Sequence, residues 1–223
     1  GGMSWESSLE YYRIINQRIK ERLGGLHSAK IIMYSFDFAE IEHLQHGGRW
    51  DEAGGVMIEA ARLLENAGAD LILICTNTMH KMADDVQKSI SVPLLHIADA
   101  TAERLKEMGL RKAGLLGTRF TMEEDFYKGR LKKKYGIEVV IPDLEEREKI
   151  HRVIYDELCV GETKDASRQR FIEIINNLIS QGAEGVILGC TEIPLLVKQE
   201  DVDLPLFDTT MIHASRAADI SLS

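Results

Sequence analysis

The chain reads as an α/β protein of two pseudosymmetric Rossmann-like lobes with mostly parallel sheets, and three features of the sequence predict this. Short apolar runs rich in β-branched residues alternate with longer amphipathic stretches, the pattern of parallel strands joined by helices. Glycines fall where those helices should stop, as in Asn66-Ala67-Gly68 and Ser180-Gln181-Gly182. The sequence also repeats itself, which implies two similar lobes.

In chain order, strands are expected at Lys30 to Ser35, Leu71 to Cys75, Leu94 to Ile97, Ala113 to Leu116, Glu138 to Ile141, Val186 to Gly189 and Leu206 to Asp208. Helices are expected at Ser7 to Leu23, Trp50 to Ala67, Thr78 to Ser89, Ala98 to Met108, Glu123 to Tyr135, Arg147 to Leu158, Ala166 to Gln181 and Met211 to Ser221. The repeat pairs Gly68-Ala69-Asp70-Leu71-Ile72-Leu73-Ile74-Cys75-Thr76 with Gly182-Ala183-Glu184-Gly185-Val186-Ile187-Leu188-Gly189-Cys190-Thr191. After each copy come a helix-length stretch and a Pro-Leu run, at Pro93-Leu94-Leu95 and Pro205-Leu206-Phe207. The expected division is 1–97 plus 207–223 for the N-terminal lobe and 98–206 for the C-terminal lobe.

Gly117-Thr118-Arg119 runs on to Phe126-Tyr127 much as Gly1-Gly2-Met3 runs on to Tyr11-Tyr12. A strand, Ala113 to Leu116, precedes Gly117. The repeat therefore predicts a strand ahead of Gly1, whose absence would leave apolar surface and unpaired backbone groups exposed. The competing reading makes Gly1-Gly2 a cloning scar before Met3.

Of the 223 residues 44% are hydrophobic and 28% charged, enough for a packed core and against disorder. A net charge of -9 argues against a nucleic-acid partner. The one basic run, Lys132-Lys133-Lys134, is read as a solvated helix end. No run approaches the roughly 18 apolar residues of a membrane span, and no secretory leader opens the sequence, so a cytoplasmic location is expected. Three cysteines, none in a C-x-x-C pair, argue against disulfides and against a structural zinc site.

Chemistry points to Cys75 and Cys190, which close the two repeated strands and are each followed by Thr. Ligands of open α/β sheets bind outside the carboxyl ends of strands, so both thiols are expected on the functional edge. A helix start after each cysteine would lower its pKa from about 8.5 and favour thiolate. Two matched thiols suit racemisation, in which the α-hydrogen leaves one face of a planar carbanion and returns on the other. A free cysteine is often only an apolar filler, and Cys159, with no strand before it, is read as packing or surface.

Gly-Gly-Met-Ser-Trp-Glu-Ser at 1 to 7, Cys75-Thr76-Asn77-Thr78-Met79-His80, Leu116-Gly117-Thr118-Arg119 and Gly189-Cys190-Thr191-Glu192 resemble the signature segments of the aspartate/glutamate racemase superfamily. The nearest branch is the aspartate-racemase-like group with its broad-specificity amino-acid racemases. The resemblance spans essentially the whole chain. It implies an active site between two α/β lobes, no cofactor (neither pyridoxal phosphate nor metal), an amino-acid substrate and a homodimer. It also implies that Met3 and Gln45 contact substrate and that Thr76, Asn77 and Thr78 cradle its carboxylate, with Thr118 and Thr191 as second-lobe equivalents. Hydroxyls, an amide and helix-start N–H groups suit that cradle, although Thr76 and Asn77 would serve equally as helix caps.

His80 is expected to tune Cys75, to contact substrate, or to be a bystander. Glu192 is expected to orient the substrate ammonium or the thiol, or to sit as a carboxylate at a helix start. One departure bears on specificity. Aspartate-specific relatives hold the side-chain carboxylate with basic residues, yet Ser35 to Leu44 contains no Lys or Arg and the second position is Glu157. An acid there repels a substrate carboxylate, so neutral or broad amino-acid substrates are expected. Two alternatives share the lobes: a maleate isomerase or arylmalonate decarboxylase, and a two-lobed small-molecule-binding protein.

Overall fold

The computed structural model describes Gly1 and residues 3–222. In order they form α1 (Trp5–Leu23), α2 (Phe38–His46), α3 (Trp50–Asn66), β1 (Ile72–Leu73), a 3-10 turn (Thr78–Met82), α4 (Ala83–Ser89) and β2 (Leu94–Leu95). Then come α5 (Ile97–Glu107), β3 (Lys112–Gly117), α6 (Arg119–Glu123), α7 (Asp125–Tyr135), β4 (Glu138–Val140) and α8 (Leu144–Asp156). A 3-10 turn (Leu158–Val160), α9 (Asp165–Ser180), β5 (Val186–Gly189), α10 (Ile193–Leu196), a 3-10 turn (Gln199–Asp201), β6 (Leu206–Asp208) and α11 (Thr209–Ser221) complete the chain.

Two compact units result, Gly1–Ile97 with His213–Ser223, and Ala98–Ile212. The sequence placed the return to the first unit at 207. Strand β6 pairs in register with β5, Val186 opposite Leu206 and Leu188 opposite Asp208, which keeps the chain in the second unit through Ile212.

The second unit carries a parallel four-stranded sheet in the order β4-β3-β5-β6. Its central strands are buried along their apolar length, as a parallel sheet covered on both faces requires. Phe171, Ile174, Ile175 and Leu178 of α9 and Ile150 and Ile154 of α8 supply buried side chains. Gly114 lets α9 close on β3, for a Cβ there would meet Leu178 Cδ1 at 2.9 Å. Asp143 and Glu146 form a reciprocal capping box that starts α8. The expected basic run ends α7, where Lys134 pairs with Asp99.

The first unit repeats half of this sheet. Strands β1 and β2 pair in parallel as β5 and β6 do, and Ile72 N donates to Pro93 O at 2.9 Å just as Val186 N donates to Pro205 O at 2.9 Å. The repeat read from the sequence is thus a repeat of hydrogen bonding.

The strand expected at Lys30 to Ser35 does not form. Residues 28–37 run without assigned secondary structure, and Ile31, Ile32, Met33 and Tyr34 are exposed. A strand exists only where a neighbour accepts its backbone groups, and between this segment and β1 lies a groove of about 630 Å³. Helix α2 was not anticipated. Asp37 caps it through Ala39 N, while Phe38, Ile41 and Leu44 pack on the core cluster of the first unit. The helix expected from Thr78 opens instead as a 3-10 turn before α4.

Candidate active site

In the first unit Cys75 lies just past β1 and is half-buried. Ser7 Oγ donates to the Cys75 carbonyl at 2.9 Å, and Ser7 is itself fixed because its N–H donates to Ser4 Oγ at the cap of α1. Downstream, Ile97 N donates to His80 Nε2 at 3.1 Å, so the ring proton lies on Nδ1, which donates to Thr76 O at 2.7 Å. His80 is thereby a backbone clamp on the segment just after Cys75. Tyr11 OH donates to His213 Nδ1 at 2.8 Å and His213 Nε2 donates to Leu95 O at 2.9 Å. Burial pushes His213 down to a pKa of about 4, in keeping with this neutral tautomer.

Asn77 and Thr78 are buried in the same turn, and Asn77 makes no side-chain capping bond. Gln45, buried on α2, donates through Nε2 to Met79 Sδ at 3.1 Å. Met3 packs in the apolar core cluster of this unit. Met3, Gln45, Thr76, Asn77, Thr78 and His80 thus all fall in the unit that holds Cys75.

In the second unit Cys190 lies just past β5 and is buried. Its Sγ donates to Glu192 Oε2 at 3.0 Å, and Thr191 Oγ1 donates to the same oxygen at 2.7 Å. The backbones of β3 and β5 close tightly just before it, for a Cβ on Gly189 would meet Leu116 O at 2.8 Å. Thr118, at the end of β3, caps α6, accepting from Thr121 N at 3.3 Å. Beside it Arg119 N donates to His151 Nδ1 at 3.3 Å, and the His151 ring meets Phe120 edge-on and Tyr155 at a tilt. Glu157 is not an isolated acid, since Ser167 Oγ donates to it at 2.7 Å and Lys164 Nζ lies 3.4 Å away.

The two thiols correct one expectation. Helix starts were expected to depress both pKa values, yet burial pushes Cys75 up, and burial together with the Glu192 charge pushes Cys190 well above its ordinary value. The helical elements beyond the thiols are too short to compensate. A 3-10 turn after Cys75 and the four-residue α10 after Cys190 align too few peptide dipoles to offset desolvation. Cys159, read as packing or surface, lies close enough for its charge to contribute to the rise at Cys190.

The sequence profile of the Asp/Glu/hydantoin racemase family matches residues 1–217. The chain belongs to that family. It is accordingly an isomerase that acts on amino acids. It resembles the broad specificity amino-acid racemase RacX of Bacillus subtilis, 27% identical over 174 residues that cover 78% of this chain and 74% of the relative. Among solved structures it is similar to a protein of Yersinia pestis assigned to the Asp/Glu racemases, with 56% identity, a TM-score of 0.94 and coverage of 100% of this chain and 97% of the other. An aspartate racemase homologue of Pyrococcus horikoshii is 39% identical, with a TM-score of 0.85 and coverage of 100% and 97%.

Cys75 and Cys190 each lie just past a parallel strand, one in each unit, with Cys190 one residue further along than Cys75 when Ile72 is matched to Val186. Sequence reasoning did not single out Ser7, although it sits in a signature segment, because its bond is to a backbone carbonyl 68 residues away. It also passed over Phe120 and His151, whose aromatic contact forms only when α6 and α8 lie side by side. Among the described residues no group of three or more His, Cys, Asp or Glu is placed to hold a metal ion, and no helix is long and apolar enough to cross a membrane.

Proposed function

We propose that the chain interconverts the L and D forms of an amino acid by moving one proton, with Cys75 and Cys190 as the acid and base and without a cofactor. In one direction the Cys75 thiolate removes the Cα proton while the Cys190 thiol protonates the opposite face; the reverse reaction exchanges the roles. Each turnover leaves one thiol and one thiolate, so no group is consumed. The observation that supports this reading is the likeness of the two strand ends: β1 and β5 share the pairing with β2 and β6, and each leads into a Cys-Thr pair, Cys190 standing one residue further along its strand than Cys75.

Raised thiol pKa values fit the task. A basic thiolate is the stronger proton acceptor for a weakly acidic Cα–H, and substrate binding supplies an ammonium charge that favours forming it. Glu192 holds the Cys190 proton and acts as a positioning residue for the thiol. Thr76, Asn77 and Thr78 bind the substrate carboxylate in the first unit, and Thr118 and Thr191 serve in the second. Met3 and Gln45 shape the substrate's surroundings.

The preferred substrates are neutral amino acids, taken over a broad range. Three facts support this: no Lys or Arg lies between Ser35 and Leu44, Glu157 stands where a basic clamp would be needed, and the nearby Lys164 is already paired with it. A homodimer belongs to the same reading.

The test is a panel of single L-amino acids assayed for loss of optical activity. The expected result is turnover of several neutral substrates, with aspartate slower than these. Turnover of aspartate alone would overturn the specificity, and turnover of no amino acid would overturn the function.

A further inference from the structure

Two side-chain ties flank Thr76. Ser7 Oγ donates to the Cys75 carbonyl at 2.9 Å, and His80 Nδ1 donates to the Thr76 carbonyl at 2.7 Å. Those carbonyls belong to the two consecutive peptide planes that meet at the Thr76 α-carbon, and both planes are trans. A peptide unit is rigid, so a plane held by its oxygen is held as a whole. With both planes held, φ and ψ of Thr76 are fixed, and with them the direction in which its side chain leaves the backbone. The same ties turn the Thr76 and Asn77 N–H groups to the sides opposite Ser7 and His80, because C=O and N–H point oppositely across a trans peptide.

Ser7 and His80 are buried, whereas Cys75 and Thr76 are half-buried, so the anchors lie inside the unit and the residues they hold stay accessible. Each anchor is itself held. Ser7 stands in the first turn of α1 with its N–H on the Ser4 cap. His80 accepts from Ile97 N at 3.1 Å, and its ring lies 4.5 Å from that of His96 and, edge-on, 5.8 Å from that of His213. A ring enclosed in this way keeps the one orientation and the one tautomer that let it donate from Nδ1 while accepting at Nε2. The second unit sets its cysteine differently. There Cys190 O accepts from Ile193 N at 3.2 Å, so a backbone turn does what two side chains do in the first unit.

We propose that Ser7 and His80 are positioning residues for the reaction: together they fix the backbone on both sides of Thr76 and so aim the Thr76 to Thr78 turn at the substrate carboxylate. Both act through the backbone and not by contact with substrate. This role rests on the reading of that turn as the carboxylate cradle, and it adds to it the residues that hold the cradle in place.

The test separates the two ring nitrogens. An Asn amide nitrogen takes the place of Nδ1 and a Gln amide oxygen takes the place of Nε2, so His80→Asn keeps the tie to Thr76 and loses the one to Ile97, while His80→Gln does the reverse. Each leaves one buried backbone group unpaired, so both should lower the melting temperature alike. With a neutral L-amino acid that the parent turns over, His80→Asn is expected to keep kcat within about threefold of the parent. His80→Gln and Ser7→Ala are expected to lose about 10- to 100-fold in kcat with a smaller change in KM. Equal losses in the two His80 variants, or parental kcat in His80→Gln or Ser7→Ala, overturn the proposal. Where a His80 variant fails to fold, Ser7→Ala decides alone by the same criterion. The three-bond HN–Hα couplings of Thr76 and Asn77, which report φ, supply a readout independent of turnover. They are expected to change in His80→Gln and to stay parental in His80→Asn, and unchanged couplings in His80→Gln overturn the proposal. A parent that racemises no amino acid overturns the racemase reading instead, and the couplings then still decide whether the two ties set the turn.

Discussion

Cys75 and Cys190 each follow a strand of the repeat, yet the two strands stand in different surroundings. Behind Cys190 lie β5 and its two bonded neighbours, β3 and β6, with side chains buried throughout β5. Behind Cys75 lies a two-residue strand bonded on one edge, and the thiol's position depends on side-chain ties from Ser7 and His80 to the backbone around it. A repeated sequence thus specifies the same chain path twice but supports it differently, by a sheet in one unit and by capping and imidazole contacts in the other. The electrostatics differ as well, because among the described residues a carboxylate, Glu192, is in contact with the Cys190 sulfur and none is shown at Cys75.

The largest expected contrast is in stability. Leu116→Ala in β3, where the side chain is fully buried, should cost about 2–5 kcal/mol, whereas Ile32→Ala, at a site 49% exposed, should stay within about 0.5 kcal/mol. Denaturant unfolding measures both, and equal losses would show that the 28–37 segment is packed like a core strand.

Acid should weaken the first unit through His213. Its folded pKa of about 4 lies below the ordinary 6.5, so the unfolded chain takes up a proton that the folded one refuses. The stability this neutral ring provides is complete above about pH 6.5 and is lost as pH falls toward 4, by up to about 3 kcal/mol. His213→Gln should flatten that part of the melting-temperature profile while leaving the remaining acid dependence; an unaltered profile would contradict the assignment.

Glu192→Gln should lower the Cys190 pKa without restoring the ordinary value, because burial, the larger cause of the rise, remains. The pH dependence of alkylation at each cysteine reads this directly. The Cys190 profile should move to lower pH and the Cys75 profile should stay in place. The smallest effects belong to the caps: Ser4→Ala at α1 and Asp143→Ala at α8 should each cost about 1 kcal/mol. A much larger loss at Ser4 would mean that the Ser7 tie to Cys75 also depends on that cap.

Much of this contrast was legible in the sequence. The repeat of Gly68 to Thr76 with Gly182 to Thr191 located both cysteines at strand ends, because alternation of apolar runs and turn residues reflects backbone geometry. Lys30 to Ser35 misled because strand propensity describes a segment, whereas a strand needs a bonded neighbour. Helix α2 was readable from Asp37 and the spacing of Phe38, Ile41 and Leu44, and was passed over in a short segment. The thiol pKa values were read in the wrong direction, since the neighbouring helix starts are local but desolvation depends on the packing around each sulfur. His80 could be placed near Cys75 from spacing; its clamp on Thr76 through the Ile97 amide could not, because Ile97 is brought to it only by the fold.

The most direct test of the two-cysteine mechanism tracks deuterium at Cα of a neutral L-amino acid in deuterium oxide, using the parent protein, Cys75→Ser and Cys190→Ser. With the parent, the D product is expected to carry solvent deuterium. In either variant racemisation should fall by about 10²- to 10⁴-fold, with exchange confined to a single enantiomer. Racemisation at parental rate in either variant, or D product that retains its original hydrogen in the parent, would contradict the mechanism.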